Sequence, residues 1–159
     1  MATAQGLAAT GLLIRLEIAL DPDEQPQRLV YVLPAVRDWM ATVLPNLASD
    51  GFVSGAATPF EQADALLYDF IIGKAGFEMA PRCMRPRAHG VWELRTYDLR
   101  LFGFFWRRGV FIATSADTKA RCKAQGAYAE HRSNAMRTRD ELDLDPPKFM
   151  IGSDPDDVL

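Results

Sequence analysis

From Leu12 the chain alternates, with Leu12, Ile14, Leu16, Ile18 and Leu20 on one side and Arg15 and Glu17 on the other, which predicts a half-buried strand. Asp21 to Gln27 holds two prolines and three acids and reads as a loop. A helix is expected to open at Pro34, a residue suited to the first helical position, and to run through Val36, Trp39, Met40 and Val43 until Pro45 and the stretch Ser49 to Ala57 end it. Thr58-Pro-Phe-Glu61 then supplies a cap, a proline at N1 and a glutamate at N3, so a second helix is predicted to reach Gly73 or Gly76. Its apolar positions Phe60, Ala63, Leu67, Phe70 and Ile71 follow helical spacing and read as core.

Glu78 to Gly90 carries two prolines and four basic or histidine side chains and reads as an exposed connector. Three strand-like runs follow, Val91 to Tyr97, Leu99 to Arg107 and Val110 to Ala116. The links between them are too short for crossovers, so they are expected to pair antiparallel as a meander, with Arg108-Gly109 as a tight turn. Asp117 or Thr118 can cap one last helix to about Arg139, along which Ala120, Ala124, Ala127, His131 and Ala135 recur every three or four residues. His131, on that apolar stripe, reads as a packed structural histidine. Residues 143–159 are acidic with three prolines and are expected to form a loose tail. The expected architecture is therefore α+β: a three-stranded meander plus the N-terminal strand, packed by two preceding helices and one C-terminal helix. It forms a single domain over 1–142, with 1–57 as an N-terminal extension.

At 159 residues and 48% apolar content, the chain is long enough to bury a core. No apolar run approaches the 18 or so residues that span a bilayer, so no membrane partner is expected. Met1 to Thr10 does not read as a secretory signal, which makes the cytoplasm the expected location. Cys83 and Cys122 form no CxxC pair and no histidine stands at ligand spacing, so neither a metal nor another cofactor is signalled.

The formal charge of -3 hides its distribution. Residues 1–81 are net -6, residues 82–139 net +9 and residues 140–159 net -6. A basic block of 58 residues points to an anionic partner. The bland alternative is that the acidic ends neutralise the middle. Arg107 and Arg108 stand at the turn, Lys119 and Lys123 form an i, i+4 pair, and a regular helix would align Arg121, Tyr128, Arg132 and Arg139. Guanidinium groups with an interleaved aromatic suit single-stranded RNA, so Arg107, Arg108, Arg121, Lys123, Tyr128 and Arg132 are candidate RNA contacts.

The run Gly90-Val-Trp-Glu-Leu-Arg95, then Leu99-Arg-Leu-Phe-Gly-Phe-Phe105, then Val110-Phe-Ile-Ala-Thr114 and Thr118-Lys119, resembles the RelE/HigB-like toxin family over roughly Thr58 to Arg139. The resemblance implies an mRNA-cleaving toxin, ribosome-dependent or free, paired with a cognate antitoxin, in which the 2′-hydroxyl attacks the adjacent phosphate without a metal. Arg95 and Arg100 would match the family's strand arginines and stabilise the developing charge, and Lys119 its helix-entry lysine. Tyr97 and His89 are acid/base candidates that no motif fixes. Where the family often has paired lysines, Ala116-Asp117 precedes a single one. Two other readings stand beside the toxin: a non-catalytic phage or mobile-element accessory protein of the same fold that binds RNA or a protein, and a purely protein-binding module whose basic middle docks an acidic partner.

Overall fold

The computed structural model describes residues 1–49, 57–74 and 80–159. Most of the expected loop 49–57, a second helix ending as late as Gly76, and the first residues of the connector fall outside them. The chain is α+β, with a six-stranded mixed sheet and five α-helices among the described residues. In chain order these are α1 (Ala4–Ala9), β1 (Ile14–Arg15), β2 (Leu29–Val32), α2 (Pro34–Thr42), α3 (Pro59–Ile71), β3 (Arg82–Cys83), β4 (Trp92–Arg95), β5 (Leu99–Arg107), β6 (Val110–Thr118), α4 (Lys119–Gln125) and α5 (Tyr128–Glu141). The strands lie in the order β1-β2-β6-β5-β4-β3. All neighbours are antiparallel except β2 and β6.

The meander forms as expected from β4, β5 and β6. The long first strand does not: only Ile14 and Arg15 pair, and the alternation from Leu16 to Leu20 continues outside any strand. In its place the run Leu29–Val32 enters the sheet parallel to β6, and Arg82–Cys83 adds an edge strand to β4. The capping box at Thr58 closes as its sequence predicts, with Thr58 Oγ1 accepting from Glu61 N and Glu61 Oε2 accepting from Thr58 N. Further along α3, the Gln62 side chain receives hydrogen bonds from Thr96 Oγ1 and Asp98 N and donates one to Asp98 Oδ2, so the β4–β5 turn is pinned to this helix.

One face of the sheet is covered by α2 and α3. Val30, Val32, Trp92, Leu94, Leu101, Phe105, Phe111 and Ala113 meet Val36, Leu67, Phe70 and Ile71 there in a continuous apolar core. The other face is shared. Tyr31, Phe104, Trp106 and Ile112 pack under α1 and Leu144, while Phe102 packs under α4 and α5 with Cys122 and Ala135.

Two C-terminal expectations are corrected. The single final helix is two, because Gly126 adopts φ 60° and ends α4 before α5 begins. That break rotates the second half, so Ala127 and Ala135 are buried while Ala120 and Ala124 face solvent. The tail is packed rather than loose. Leu144 and Val158 are fully buried, Trp106 Nε1 donates to Asp145 O, and Met150 N donates to Phe105 O.

Candidate functional site

The site begins with an irregularity in the meander. Phe102 lies opposite Ser115, but its neighbour Gly103 lies opposite Ala113, so β6 carries one extra residue, Thr114, in a β-bulge. Before the bulge Phe111 and Ala113 point into the α2/α3 core; after it Ser115 and Asp117 turn to the opposite face, and Ala116 takes the core side. Gly103 permits this, because a Cβ there would stand 2.0 Å from the Ile112 carbonyl oxygen.

Cross-strand partners share a face, so two rows of side chains run beneath α4 and α5: Arg82, Glu93, Phe102 and Ser115, then Arg95, Arg100 and Asp117. Glu93 is fully buried. Its Oε1 is 2.5 Å from Arg82 Nη2 and 4.0 Å from both Arg95 Nε and Arg100 Nε, yet neither carboxylate oxygen completes an aligned hydrogen bond. The attraction is one of charge, in a place where withdrawal from water leaves few other partners. Arg100, only 7% exposed, donates to Thr96 O and Leu99 O. Arg95 donates to Ala80 O, and burial lowers the pKa of its guanidinium.

At the other end of the rows, Asp117 is 4% exposed and well partnered. Its Oδ2 accepts from His131 Nε2 at 2.8 Å and Arg121 Nη1 at 2.5 Å, and its Oδ1 accepts from Thr118 N at 2.8 Å. A carboxylate only accepts, so Nε2 carries the imidazole proton. His131 Nδ1 then accepts from the Ser115 hydroxyl, 2.8 Å away. The ring stacks on Phe102 with centroids 4.4 Å apart and planes 7° from parallel, and Tyr128 meets the same Phe102 edge-on. The result is a Ser115–His131–Asp117 chain, its imidazole partly open to solvent, beside four arginines and the Glu93 carboxylate.

Asp117, Cys122 and His131 also place one ligand atom each within 4.8 Å of one another. The surrounding arginines oppose a dication there. Burial and the Asp117 charge push the Cys122 thiol up to about 11, so it stays protonated at neutral pH.

Of the residues chosen from sequence, the fold brings Arg95, Arg100, Arg121 and Tyr128 to this face, with Arg100 sealed beneath it. Lys119 lies over the exposed Tyr97 ring at 4.3 Å, beside the β4–β5 turn. Lys123 is exposed on α4. Arg107 and Arg108 do not join them: Arg107 ends β5 about 23 Å along the strand from Arg100, and Arg108 follows it in the turn. There Arg107 donates to the Asp145, Pro146 and Pro147 carbonyls and Arg108 to those of Asp156 and Asp157. Arg132 turns to the Arg85 carbonyl, and Arg139, in the expected stripe, is buried against Phe149. His89 Nδ1 is buried without a hydrogen-bond partner among the described residues, and its carbonyl accepts from Arg139. The directions of Ser115 and Asp117 are set by the bulge and that of His131 by the Gly126 break, so local periodicity does not show them as a site. Glu93 shares the Arg95 face by simple alternation, but its burial does not show in the sequence. No family model matches the chain, and no curated protein or solved structure matches it.

Proposed function

We propose that the protein is RNA-directed and cleaves a phosphodiester without a metal, as a toxin of the RelE/HigB-like kind. The reaction would centre on His131 rather than on the strand arginines. The observation that carries this reading is the partly exposed imidazole held between Ser115 and Asp117 and flanked by Arg121. A ribose 2′-hydroxyl that takes the place of Ser115 on Nδ1 would lose its proton there and attack phosphorus. The bond to the 5′-oxygen breaks, and that oxygen takes a proton from water or Lys119. The products are a 2′,3′-cyclic phosphate and a 5′-hydroxyl end. Asp117 would hold Nε2–H and steady the imidazolium, while Arg121 and Arg95 face the charge gathered in the phosphorane-like transition state; fixed donors of this kind contribute on the order of a few kcal/mol each.

A second reading, a non-catalytic binder of RNA or of an acidic protein segment, is favoured by one specific observation. Arg95 and Arg100 already share Glu93, and Arg121 already serves Asp117. The test is induction of wild type and His131→Gln in cells, followed by growth and primer extension on abundant mRNAs, with thermal unfolding of both purified proteins as a folding control. New 5′ ends made by wild type and not by an equally folded variant support cleavage. Without new ends, a steep fall in RNA affinity with rising salt supports the binder, since phosphate contacts release counterions. If RNA does not bind at all, both RNA readings fail.

A further inference from the structure

At the sheet edge, where Arg82 reaches Glu93, a cavity of about 380 Å³ is lined by Arg82, Cys83, Met84, Arg85 and Arg87. We propose that this cavity is an anion site that takes a phosphate monoester.

The argument starts with charge. Three arginines line one concavity, and all three are exposed. Arg82 shares its charge with Glu93, whereas Arg85 and Arg87 have no carboxylate within 4.0 Å among the described residues. Two uncompensated guanidiniums match the charge of a phosphate monoester, which approaches two negative charges at neutral pH. Their planar forks present paired N–H groups that match its oxygens.

The wall is also fixed before any ligand arrives. Met84 N donates to Val91 O, His89 N to Pro86 O and Gly90 N to Arg87 O. From outside the loop, the Arg132 side chain donates to the Arg85 carbonyl and Arg139 to that of His89. Gly90 takes φ 63°, and a Cβ there would stand 2.3 Å from Phe149 Cδ2, so the packed C-terminal segment presses directly on the loop. Buried Cys83 and Met84 anchor its start. A loop held at so many points spends little ordering entropy when it binds, and its arginines project from a stiff base.

The chemistry is shared by inorganic phosphate, a mononucleotide and the phosphorylated end of an RNA, and it does not depend on cleavage at His131. The experiment titrates nitrogen-15-labelled full-length protein with inorganic phosphate at constant ionic strength, following backbone amides and arginine Nε–Hε resonances. Saturable shifts confined to residues 82–90 are expected. Arg85→Ala/Arg87→Ala is expected to bind about tenfold or more weakly, and the double lysine variant to fall clearly below wild type because it keeps the charge and loses the fork. Both side chains are exposed, so the rest of the spectrum monitors folding. Unsaturable shifts, or equal affinity in wild type and the alanine variant, would overturn the proposal. Uridine 5′-monophosphate and a short RNA with a 5′-phosphate or a 5′-hydroxyl form the remaining arms. Tighter binding of the 5′-phosphorylated RNA than of its hydroxyl twin assigns the site to an RNA end. A failure of mRNA cleavage in cells would leave these titrations untouched.

Discussion

The two faces of the sheet solve opposite problems with the same strands. The face under α2 and α3 is filled by Trp92, Phe105, Phe111 and Phe70, with Phe105 edge-on to Trp92 at 5.6 Å. Under α4 and α5, Glu93, Arg100 and Asp117 are withdrawn from water at comparable depth. Dry packing on the first face stabilises without specifying chemistry. The second carries buried charges whose desolvation offsets much of their attraction, an arrangement expected where a site rather than a core is built.

The contrast can be broken most forcefully from the dry side. Trp92→Ala is expected to lower stability by about 4 kcal/mol, the cost of a large buried aromatic, in chemical denaturation; the Ser115 and Asp117 amide resonances are expected to stay in place, because Trp92 packs on the opposite face. Gly103→Ala strikes both faces at once. Its Cβ meets the Ile112 backbone rather than a movable side chain, so a loss of about 3 kcal/mol is expected, together with displaced Ser115 and Asp117 resonances. A stable variant with unmoved resonances would show that the bulge does not depend on glycine.

On the polar side, Glu93→Gln keeps the volume and removes the charge that Arg82, Arg95 and Arg100 share. A loss of about 2–3 kcal/mol in the same denaturation is expected, below the range for sealed pairs because Arg82 is half-exposed. Unchanged or raised stability would mean that the desolvation of Glu93 outweighs its attractions.

The smallest effect is at the surface, where Tyr68 Oη donates to Glu24 Oε2 at 2.5 Å. That bond raises the Tyr68 pKa to about 12 and lowers that of Glu24. The neutral tyrosine and the charged glutamate are the favoured forms, so the contribution is present at neutral pH. It is lost as pH rises from about 10 toward 12, and as pH falls through the glutamate range. Tyr68→Phe is expected to flatten both limbs of the stability–pH curve slightly, and superimposable curves would refute the coupling.

How far these features could be read in advance follows from their range. The Thr58 capping box is local chemistry completed within four residues, and the antiparallel meander follows from links too short for anything else; both stood plainly in the sequence. The pairing of Leu29–Val32 with β6 joins segments some 80 residues apart, and no local pattern announces it. The same holds for His131. Its place on an apolar stripe pointed to a packed residue, and it does stack on Phe102. That its two nitrogens also reach Ser115 and Asp117 depends on an extra residue in one strand and on the turn at Gly126, each of which reverses or rotates a direction that simple periodicity would extend. Alternation along Leu99–Arg107 puts Arg100 on the side of Phe102, as the structure has it, but the internal carbonyls that bind it lie outside what alternation can reveal.

Val158 is a late keystone. It is fully buried in the main core, and its carbonyl accepts the Gly109 amide across 48 intervening positions at 2.7 Å. A nascent chain that already holds every strand and helix of this sheet would still expose part of its apolar interior to the cell until translation reaches that valine. Over that interval it would be prone to stick to its neighbours and open to chaperones.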